Sequence, residues 1–405
     1  MKVTFFPSEP RGRVTAPPSK SMAHRYLICA GKTEGTTVIE NIEMSEDISA
    51  TSECLRALGA EISVMDSKAE VKSLGDFSFA DGTLLNCRES GSTLRFLIPS
   101  CLNGHPVSFT GSQTLFSRPL NVYEDLFRKS GISFEKSLDS LCVNGVIRPG
   151  TFEFPGNISS QFVSGLLFAL PTLTEDSRIV FTAPPESLSY IRMTLRALSE
   201  FGIRAYLRGD SSIDIPGGQI FSRCSDGSSP LRVEGDWSNA AFLFAMGLEV
   251  RGINEDSIQG DKKCLEYFSR LDDGPAQLDI TDCPDLGPVL MAYAAMRSGA
   301  VLTGTERLRF KESDRGEAMK TELAKFGVIA DVQKNYIEIG SGVDTPAEPL
   351  FGHNDHRIVM ALSVICARTG GTIIGAEAVR KSFPDFFGCI SGAEIRMEIN
   401  DGLDQ

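Results

Sequence analysis

The sequence predicts an α/β protein of two domains, each built from small related units. Three observations lead to this prediction: a length of 405 residues, a strand-like pattern that recurs along the chain, and helical stretches that end at glycine. At roughly 150 residues per domain, the length suits two or three domains, and we expect two.

A turn residue followed by a β-rich run and a second turn recurs with a period of roughly seventy residues, with one shorter interval between the fourth and fifth copies. The copies are GTTVIENI from Gly35, GHPVSFTG from Gly104, DSRIVFTA from Asp176, GLEVRGIN from Gly247, GAVLTGTE from Gly299 and GGTIIGAE from Gly370. Six related units are therefore expected.

Most units add a helical stretch that is closed by glycine and followed by an alternating strand. The examples are CLRALGAEISV from Cys54, LFRKSGISFEKS from Leu126, TLRALSEFGIRAYL from Thr194 and ELAKFGVIADV from Glu322. Glycine just past the last apolar-periodic residue can take the left-handed conformation that ends a helix. A long period with mixed helix and strand favours small βα modules packed into domains over a solenoid or a propeller.

The predicted domain boundary is the Gly-, Ser- and Asp-rich stretch from Pro216 to Pro230, which interrupts the periodic pattern near the middle of the chain. A cleft between two similar halves is the default place for a ligand site.

Composition and charge exclude several classes of protein. A hydrophobic fraction of 41% and a charged fraction of 23% are typical of a soluble globular protein. The net charge of -13 argues against a nucleic-acid-binding surface. Ten scattered cysteines without a C-x-x-C pair indicate reduced, mostly buried thiols. Without a signal peptide or an 18-residue apolar run, we expect a cytoplasmic monomer that contacts no membrane.

The segment Pro17-Pro18-Ser19-Lys20-Ser21-Met22-Ala23-His24-Arg25 turns from a proline-stiffened strand exit into a helix that should begin near Ser21. A serine at or near the N-cap, free backbone N–H groups and the cations Lys20 and Arg25 form a natural cradle for a phosphate or a carboxylate. A capped helix with solvated charges is the alternative. The segment is not a G-x-x-x-x-G-K-S/T loop, so no nucleotide is implied.

Further clusters mix Ser, Gly, Gln and Arg at expected helix starts: Glu89–Arg95, Phe116–Pro119 and Asn157–Phe162. The second half of the chain adds Cys283–Leu286, Arg309–Arg315, Asn354–Arg357 and Arg380–Pro384. If helical, Lys311 and Arg315 share a face, which is unfavourable unless an anion lies between them or Glu312 and Asp314 compensate. Taken alone, each cluster is better explained as a capped helix start with solvated neighbours, and the functional interpretation depends on the joint pattern.

Metal and covalent chemistry are not indicated. The histidines His24, His105, His353 and His356 show no ligand spacing that would complete a metal site, so we expect no metal and no cofactor. No G-x-S-x-G elbow or catalytic cysteine context is present, so a covalent nucleophile is not expected.

Taken in order, these segments resemble the EPSP synthase family. PPSKSMAHR, SSQF, LRFKESDR, NDHR and KSFPDFF carry the resemblance, which extends from Lys20 to Pro384. It implies the two-domain enolpyruvyl transferase fold of the inside-out α/β barrel type, with three repeated βαβαββ units in each domain. It also implies a domain of residues 15–228, a second of residues 1–14 plus 229–405, and an active site in the interdomain cleft.

The resemblance implies transfer of the enolpyruvyl group of phosphoenolpyruvate to the 5-hydroxyl of shikimate 3-phosphate, in the shikimate pathway to chorismate and the aromatic amino acids. It places shikimate 3-phosphate on Lys20, Ser21, Arg25, Ser159, Ser160, Gln161, Ser187, Asp285 and Lys311. It places phosphoenolpyruvate on Lys20, Gly91, Arg118, Gln161, Arg315, Arg357 and Lys381. Asp285 and Glu312 become the acid–base candidates, assisted by Lys20.

Two positions depart from the family pattern. Glu89-Ser90-Gly91-Ser92-Thr93 stands where many relatives have Asn-Ala-Gly-Thr-Ala, and Arg307 stands where some relatives use Asn to contact the shikimate phosphate. Two rival interpretations stay open. One is a UDP-N-acetylglucosamine enolpyruvyl transferase, although the loop cysteine usual there is missing. The other is a non-catalytic anion-binding scaffold, which the presence of Asp285 and Glu312 disfavours.

Overall fold

The computed structural model of the chain describes residues 1–223 and 231–400. The strands in these residues are β1 Lys2–Phe5, β2 Arg13–Thr15, β3 Gly35–Glu40, β4 Glu61–Met65, β5 Lys68–Ser73, β6 Thr83–Asn86, β7 Val107–Thr110, β8 Ser133–Lys136, β9 Ser140–Asn144, β10 Thr151–Phe154, β11 Ser177–Phe181, β12 Tyr206–Arg208, β13 Ser212–Ile215, β14 Leu231–Arg232, β15 Glu249–Arg251, β16 Ala276–Asp279, β17 Ala300–Thr303, β18 Ala330–Val332, β19 Tyr336–Ile339, β20 Leu350–Phe351, β21 Gly371–Ile374 and β22 Met397–Asn400.

The α-helices in the same residues are α1 Lys20–Gly31, α2 Glu46–Ala57, α3 Gly91–Ser100, α4 Gln113–Ser117, α5 Asn121–Lys129, α6 Ser160–Ala169, α7 Leu188–Glu200, α8 Trp237–Ala245, α9 Cys264–Asp273, α10 Gly287–Met296, α11 Arg315–Ala324, α12 His356–Thr369 and α13 Phe386–Ser391. Short 3-10 helices cover Leu170–Thr172, Gly260–Lys263, Pro284–Leu286, Glu306–Phe310 and Ala376–Lys381.

The chain divides into two compact units. One is Pro18–Glu234, and the other joins Met1–Pro17 to Gly235–Gln405. The boundary predicted between residues 228 and 229 lies outside the described residues, as does Cys224.

Residues 18–234 contain three four-stranded sheets, with the strand orders β14-β3-β5-β4, β6-β7-β9-β8 and β10-β11-β13-β12. In each sheet the first two strands are parallel and the remaining neighbours are antiparallel. Because parallel neighbours need a crossover, α3 joins β6 to β7 and α6 joins β10 to β11. A further helical segment and a hairpin complete the predicted βαβαββ unit.

The other unit repeats this order in the sheets β16-β17-β19-β18 and β20-β21-β1-β22. Strand β1 lies between β21 and β22 and is antiparallel to both. In the described residues, the remaining sheet consists of β15 and β2, which are parallel. After β15 the chain passes through α9 directly to β16, so the shorter interval between the fourth and fifth repeats corresponds to a missing hairpin.

The recurring strand pattern is confirmed, since its six copies form β3, β7, β11, β15, β17 and β21. The predicted helix-ending glycines are also confirmed, because all of them have positive φ: Gly59 at 99°, Gly131 at 73°, Gly202 at 72° and Gly327 at 81°. Only glycine takes this conformation without steric cost, so each one ends its helix and turns the chain into the next strand.

Six helices are buried on nearly all sides: α1, α3 and α6 in one unit, and α8, α10 and α12 in the other. A helix that is apolar all round is typical of the centre of a domain. Close packing is visible between α3 and α6, where a Cβ on Gly165 would overlap the carbonyl oxygen of Arg95 and the hydroxyl of Tyr123. The N-terminal ends of these central helices carry most of the predicted site residues.

Among the described residues, no helix combines the length and the apolar character needed to cross a bilayer. The cysteines of residues 1–223 and 231–400 are free thiols, and all except Cys142 and Cys389 are buried.

Candidate active site

Three buried helices of residues 18–234 begin in the same way. A serine precedes each of α1, α3 and α6, and its hydroxyl accepts a hydrogen bond from a first-turn backbone N–H: Ser19 from Met22, Ser90 from Thr93 and Ser159 from Gln161. The helix expected near Ser21 thus starts at Lys20. Helix N-termini carry partial positive charge, so these three starts favour bound anions.

Lys20, predicted as both a ligand and a catalytic group, lies in the first turn of α1. Its Nζ donates a hydrogen bond of 2.8 Å to Oδ2 of Asp47, and the two side chains are only 14% and 12% exposed. Asp47 comes from the first turn of α2, so this second helix orients the lysine. The neighbouring Ser21 is half-buried.

Arg25 is buried and bonded within its own unit. Its guanidinium donates to the hydroxyl of Thr194 at 2.9 Å and to the carbonyls of Ser21 at 2.6 Å and Tyr190 at 3.0 Å. Burial lowers the pKa of Arg25 to about 10. These contacts tie α1 to α7, so any contact of Arg25 with substrate must use its remaining N–H groups.

Gly91, the first residue of α3, lies against two guanidinium groups. A Cβ at this position would lie 2.9 Å from Nη1 of Arg95, 3.1 Å from Nη1 of Arg118 and 3.7 Å from Oε1 of Gln161. Arg95 donates to Gln161 Oε1 at 2.8 Å. The absence of a side chain at Gly91 therefore keeps space in front of two cations.

Arg118 lies between α4 and α5 and is 7% exposed. Within residues 1–223 and 231–400, its Nε and Nη2 are buried and have no hydrogen-bond acceptor. A buried donor without an acceptor is costly, so this guanidinium is suited to an anionic ligand.

Ser159, Ser160 and Gln161 form the start of α6. Ser160 is 4% exposed, and Nε2 of Gln161 donates to the hydroxyl of Ser92 at 3.0 Å. Through Ser92 and Arg95, the starts of α3 and α6 are joined. Ser187 precedes α7 in a left-handed backbone conformation with φ of 54°, which is uncommon for a residue other than glycine and often marks functional sites.

In the other unit, Arg315 is the centre of an ion-pair cluster. Its guanidinium lies 2.8 Å from Oδ1 of Asp285, 2.7 Å from Oε2 of Glu312 and 2.8 Å from Oδ2 of Asp355. The Arg315 side chain is 1% exposed. Burial alone would lower the pKa of Arg315, but the three carboxylates hold it above its ordinary value.

Asp285 connects three cations. Besides Arg315, it contacts Nζ of Lys311 at 3.1 Å and Nη2 of Arg357 at 3.4 Å. Burial lowers the pKa of Lys311, and Asp285 opposes that shift. The carboxylate thus lies among groups that suit phosphate or carboxylate ligands.

Lys311 and Arg315 do not share a helix, so the condition for a common helical face is not met. Lys311 follows the 3-10 helix Glu306–Phe310 in an extended conformation, and α11 begins only at Arg315. Both cations nevertheless converge on Oδ1 of Asp285. Glu312 compensates as expected, whereas Asp314 caps α11 by accepting the backbone N–H of Glu317.

Lys381 ends the 3-10 helix Ala376–Lys381 and is 6% exposed. Its Nζ donates to the carbonyl oxygen of Asn354 at 2.6 Å. Arg357 lies in the first turn of α12 and donates through Nη1 to the carbonyl of Asp285 at 3.3 Å. Lys381 is thus tied to the loop before α12, and the Arg357 side chain is tied to the 3-10 helix Pro284–Leu286.

A further acid, Asp261, interacts electrostatically with Asp285 and Arg357. It is 2% exposed and accepts a hydrogen bond of 2.6 Å from the hydroxyl of Ser238. Burial, reinforced by the charge of Asp285, raises the pKa of Asp261 from 3.8 to about 6, with Arg357 acting in the opposite direction.

The predicted residues divide between the two units of the chain. The set in residues 18–234 is Lys20, Ser21, Arg25, Gly91, Arg118, Ser159, Ser160, Gln161 and Ser187. The set in the other unit is Asp285, Lys311, Glu312, Arg315, Arg357 and Lys381. The first set offers cations, hydroxyls and helix N-termini to anions, and the second adds carboxylates able to move protons.

Sequence reasoning did not assign roles to Arg95, Asp47, Asp355 or Asp261. Arg95 carries a usable signal, because it is a charged residue inside the apolar run of α3 and 6% exposed. Asp355 also carries one, since Asp before a helix start is a preferred N-cap. Asp47 and Asp261 reach their partners only through tertiary contacts.

In the described part of the chain, no group of three or more His, Cys, Asp or Glu side chains could hold a metal ion. The expected absence of a metal stays a prediction.

The repeated βαβαββ units, with predicted site residues at the starts of central helices, define the fold class of the enolpyruvyl transferases. The sequence profile of one family, EPSP synthase (3-phosphoshikimate 1-carboxyvinyltransferase), matches residues 7–390. The chain belongs to this family.

Individual relatives agree with this assignment. A 3-phosphoshikimate 1-carboxyvinyltransferase of Clostridium perfringens strain 13 is 39% identical over 95% of this chain and 96% of the relative. The enzyme of the same name from Clostridioides difficile strain 630 is 35% identical over 95% of both chains. The structure of an EPSP synthase from Acinetobacter baumannii superposes with a TM-score of 0.77, covering 98% of this chain and 100% of that one. At 22% identity, that likeness shows the shared fold.

Proposed function

We propose that this chain catalyses the reaction of its family and does so with the two residue sets described above. The chain is an enolpyruvyl transferase: it moves the enolpyruvyl group of phosphoenolpyruvate to the 5-hydroxyl of shikimate 3-phosphate and releases phosphate. One observation carries the assignment of residues, namely the Asp285 carboxylate in contact with Lys311, Arg315 and Arg357. It combines a proton acceptor with cations that suit the substrates' phosphate and carboxylate groups.

The ligands of shikimate 3-phosphate are Lys20, Ser21, Arg25, Ser159, Ser160, Gln161 and Ser187, together with Asp285 and Lys311. A phosphate accepts several hydrogen bonds at once, and the N-terminal turns of α1 and α6 supply hydroxyl and backbone donors. Asp285 contacts a substrate hydroxyl rather than the phosphate in this arrangement.

The ligands of phosphoenolpyruvate are Lys20, Gly91, Arg118, Gln161, Arg315, Arg357 and Lys381. Arginine binds phosphate and carboxylate through paired N–H groups, which suits a small molecule carrying both. The buried Nε and Nη2 of Arg118, without acceptors in the described residues, support its place in this set.

The chemistry needs two acid–base groups. Glu312 gives a proton to the methylene carbon of phosphoenolpyruvate, and the 5-hydroxyl attacks the adjacent carbon while Asp285 takes its proton. In the elimination step, Glu312 takes a proton back from the new methyl group of the tetrahedral intermediate while the bond to phosphate breaks, which restores the carbon–carbon double bond. Asp285 passes its proton to the leaving phosphate. Lys20, held by Asp47, stabilises charge that develops in these steps.

The test is phosphate release by the purified chain, given phosphoenolpyruvate with shikimate 3-phosphate, shikimate or UDP-N-acetylglucosamine, with a chelator present throughout. We expect release only with shikimate 3-phosphate. Asp285→Ala and Glu312→Gln should each lower kcat by about 100-fold or more, the usual contribution of a general acid or base. Asp272→Asn is the matched control, because this carboxylate is 51% exposed and bonds Arg297.

Other outcomes identify the rivals. Release only with the nucleotide sugar would move the chain to the other enolpyruvyl transferase activity. No release with any acceptor, together with retained binding of phosphoenolpyruvate, would indicate a binding scaffold.

We further propose a cytoplasmic monomer. The free thiols in the described residues support a reducing compartment, and one chain supplies every residue of both ligand sets. Light scattering during size exclusion tests the oligomeric state, and fractionation of the source cells tests the location.

A further inference from the structure

A buried carboxylate away from the proposed substrate ligands holds the loop that precedes α12. Glu322, in the last turn of α11, has a side chain that is only 1% exposed. It accepts hydrogen bonds from Nε2 of His353 at 2.7 Å, from Nζ of Lys325 at 2.8 Å and from the backbone N–H of Phe351 at 3.0 Å. Burial alone would raise the pKa of Glu322, but these donors hold it below its ordinary value. The acid is therefore kept as a buried anion by its three donors.

The loop that Glu322 holds has an unusual backbone. His353 and Asn354 are consecutive residues with φ of 48° and 52°, both in the left-handed region. Such residues persist only where the surroundings fix them, and they are concentrated at functional sites. The contact from Glu322 to the His353 ring is one of those fixing contacts, and the backbone bond from Gly352 to the Ile374 carbonyl at 2.8 Å is another.

Three proposed phosphoenolpyruvate ligands depend on the same loop. Lys381 donates to the carbonyl of Asn354 at 2.6 Å. The next residue, Asp355, accepts a hydrogen bond of 2.8 Å from Nε of Arg315. Its carboxylate also caps α12 by accepting a hydrogen bond of 2.9 Å from the backbone N–H of Arg357. A displacement of His353 and Asn354 would therefore reach Lys381, Arg315 and Arg357 together.

Helix α11 closes this arrangement into a ring of contacts. Arg315 lies at its start and bonds the Asp355 end of the loop, while Glu322 lies two turns later and bonds the His353 end. Because the loop is attached to one rigid helix at both ends, its geometry is set by α11.

We propose that Glu322 and His353 are positioning residues for phosphoenolpyruvate: they fix the loop 352–355 so that Lys381 and Arg357 meet this substrate in the required geometry. The proposal rests on the proposed function, because it uses the ligand roles assigned there. In this proposal neither Glu322 nor His353 touches substrate. The KM for shikimate 3-phosphate should change little, because most of its proposed ligands lie elsewhere.

The test compares two replacements of His353. His353→Asn keeps a residue that tolerates the left-handed backbone but is too short to reach Glu322. His353→Gln extends about as far as histidine and retains an N–H donor. We expect the KM for phosphoenolpyruvate to rise about tenfold in His353→Asn, equivalent to about 1.4 kcal/mol, with the KM for shikimate 3-phosphate changed less than about twofold. His353→Gln should restore most of the loss.

A matched control is available in the other unit. His105 also bonds a carboxylate, Asp81, at 2.7 Å, but both side chains are more than half exposed and neither belongs to a ligand set. His105→Asn should leave both KM values unchanged. Equal rises in both KM values in His353→Asn, or no rise while the wild-type chain is active, would overturn the positioning role.

Hydrogen exchange without substrate gives an independent readout. In His353→Asn, peptides covering residues 350–358 and 376–383 should exchange faster than in the wild type, and His353→Gln should return them toward wild-type rates. Unchanged exchange in both peptides would refute the positioning role, whether or not the wild-type chain is active. A wild-type chain that released no phosphate would refute the proposed function, and the exchange experiment would still test the positioning role.

Discussion

Replacing the buried acid Asp261 by asparagine should stabilise the unit that contains it at neutral pH. The folded chain holds this carboxylate at 2% exposure, beside the charge of Asp285, and its pKa is raised to about 6. In the unfolded chain the same group returns to water and to its ordinary pKa of 3.8. Ionisation of Asp261 therefore opposes folding.

The size and sign of the effect follow from the two pKa values. Below pH 3.8 the acid is neutral in both states and contributes nothing to the pH dependence of folding. As the pH rises, the unfolded state loses its proton first, so the free energy of unfolding falls until the folded state also ionises near pH 6. At about 1.4 kcal/mol per pH unit, the cost above that pH is about 3 kcal/mol.

The assay is urea unfolding followed by the fluorescence of Trp237, the single tryptophan of the chain. It lies in α8, is 2% exposed and donates its indole N–H to the Asn254 carbonyl at 2.9 Å, so it reports on the unit that contains Asp261. Asp261→Asn should gain about 3 kcal/mol at pH 7.5 and about 1 kcal/mol at pH 4.5.

A gain of the same size at both pH values, or a loss at pH 7.5, would refute this reasoning. Asp272→Asn serves as the control, because Asp272 is 51% exposed and should show no gain that depends on pH in this way. A gain in the control would indicate a general effect of net charge instead.

Three further predictions concern the substrate site and the packing. Gly91→Ala should raise the KM for phosphoenolpyruvate about tenfold with kcat nearly unchanged, because the new Cβ would lie 3.1 Å from Nη1 of Arg118. Steady-state phosphate release measures both constants, and an unchanged KM would contradict the prediction. Gly165→Ala should destabilise the chain by about 3 kcal/mol through overlap between α3 and α6. Gly392→Ala, where a Cβ meets nothing within 4 Å, is the neutral control in thermal unfolding, and equal melting temperatures would count against the overlap. Arg315→Met should cost about 3–5 kcal/mol, because it leaves three carboxylates without their shared cation. Urea unfolding followed by tryptophan fluorescence measures the loss, and an unchanged free energy of unfolding would refute the prediction.

Local patterns were sufficient for the repeated elements. The strand that begins at Gly35 and the helix closed by Gly59 are specified by turn chemistry and periodicity within about a dozen residues, so they could be read directly. The serine caps of α1, α3 and α6 are local signals of the same kind.

Long-range pairing could not be read in this way. Strand β14 is two residues long and pairs with β3, far earlier in the chain, and nothing in Leu231–Arg232 marks it as a strand. In the site, the sequence offered Glu312 and Asp314 as compensating charges for Lys311 and Arg315, and only Glu312 bonds Arg315. Asp285 and Asp355 reach the guanidinium only in the folded chain. Buried charge clusters depend on the distances between side chains in the folded chain, and a single sequence does not contain those distances.

The place of β1 has a consequence for how the chain is made. Thr4 and Thr372, 368 residues apart, bond through their hydroxyls at 3.1 Å within one sheet. During synthesis β1 therefore cannot pair until β21 and β22 have been made. The three sheets of residues 18–234 can form before that. Pairing across such a separation carries a large loop-closure cost. Formation of the sheet that contains β1 should consequently be the slow step of refolding.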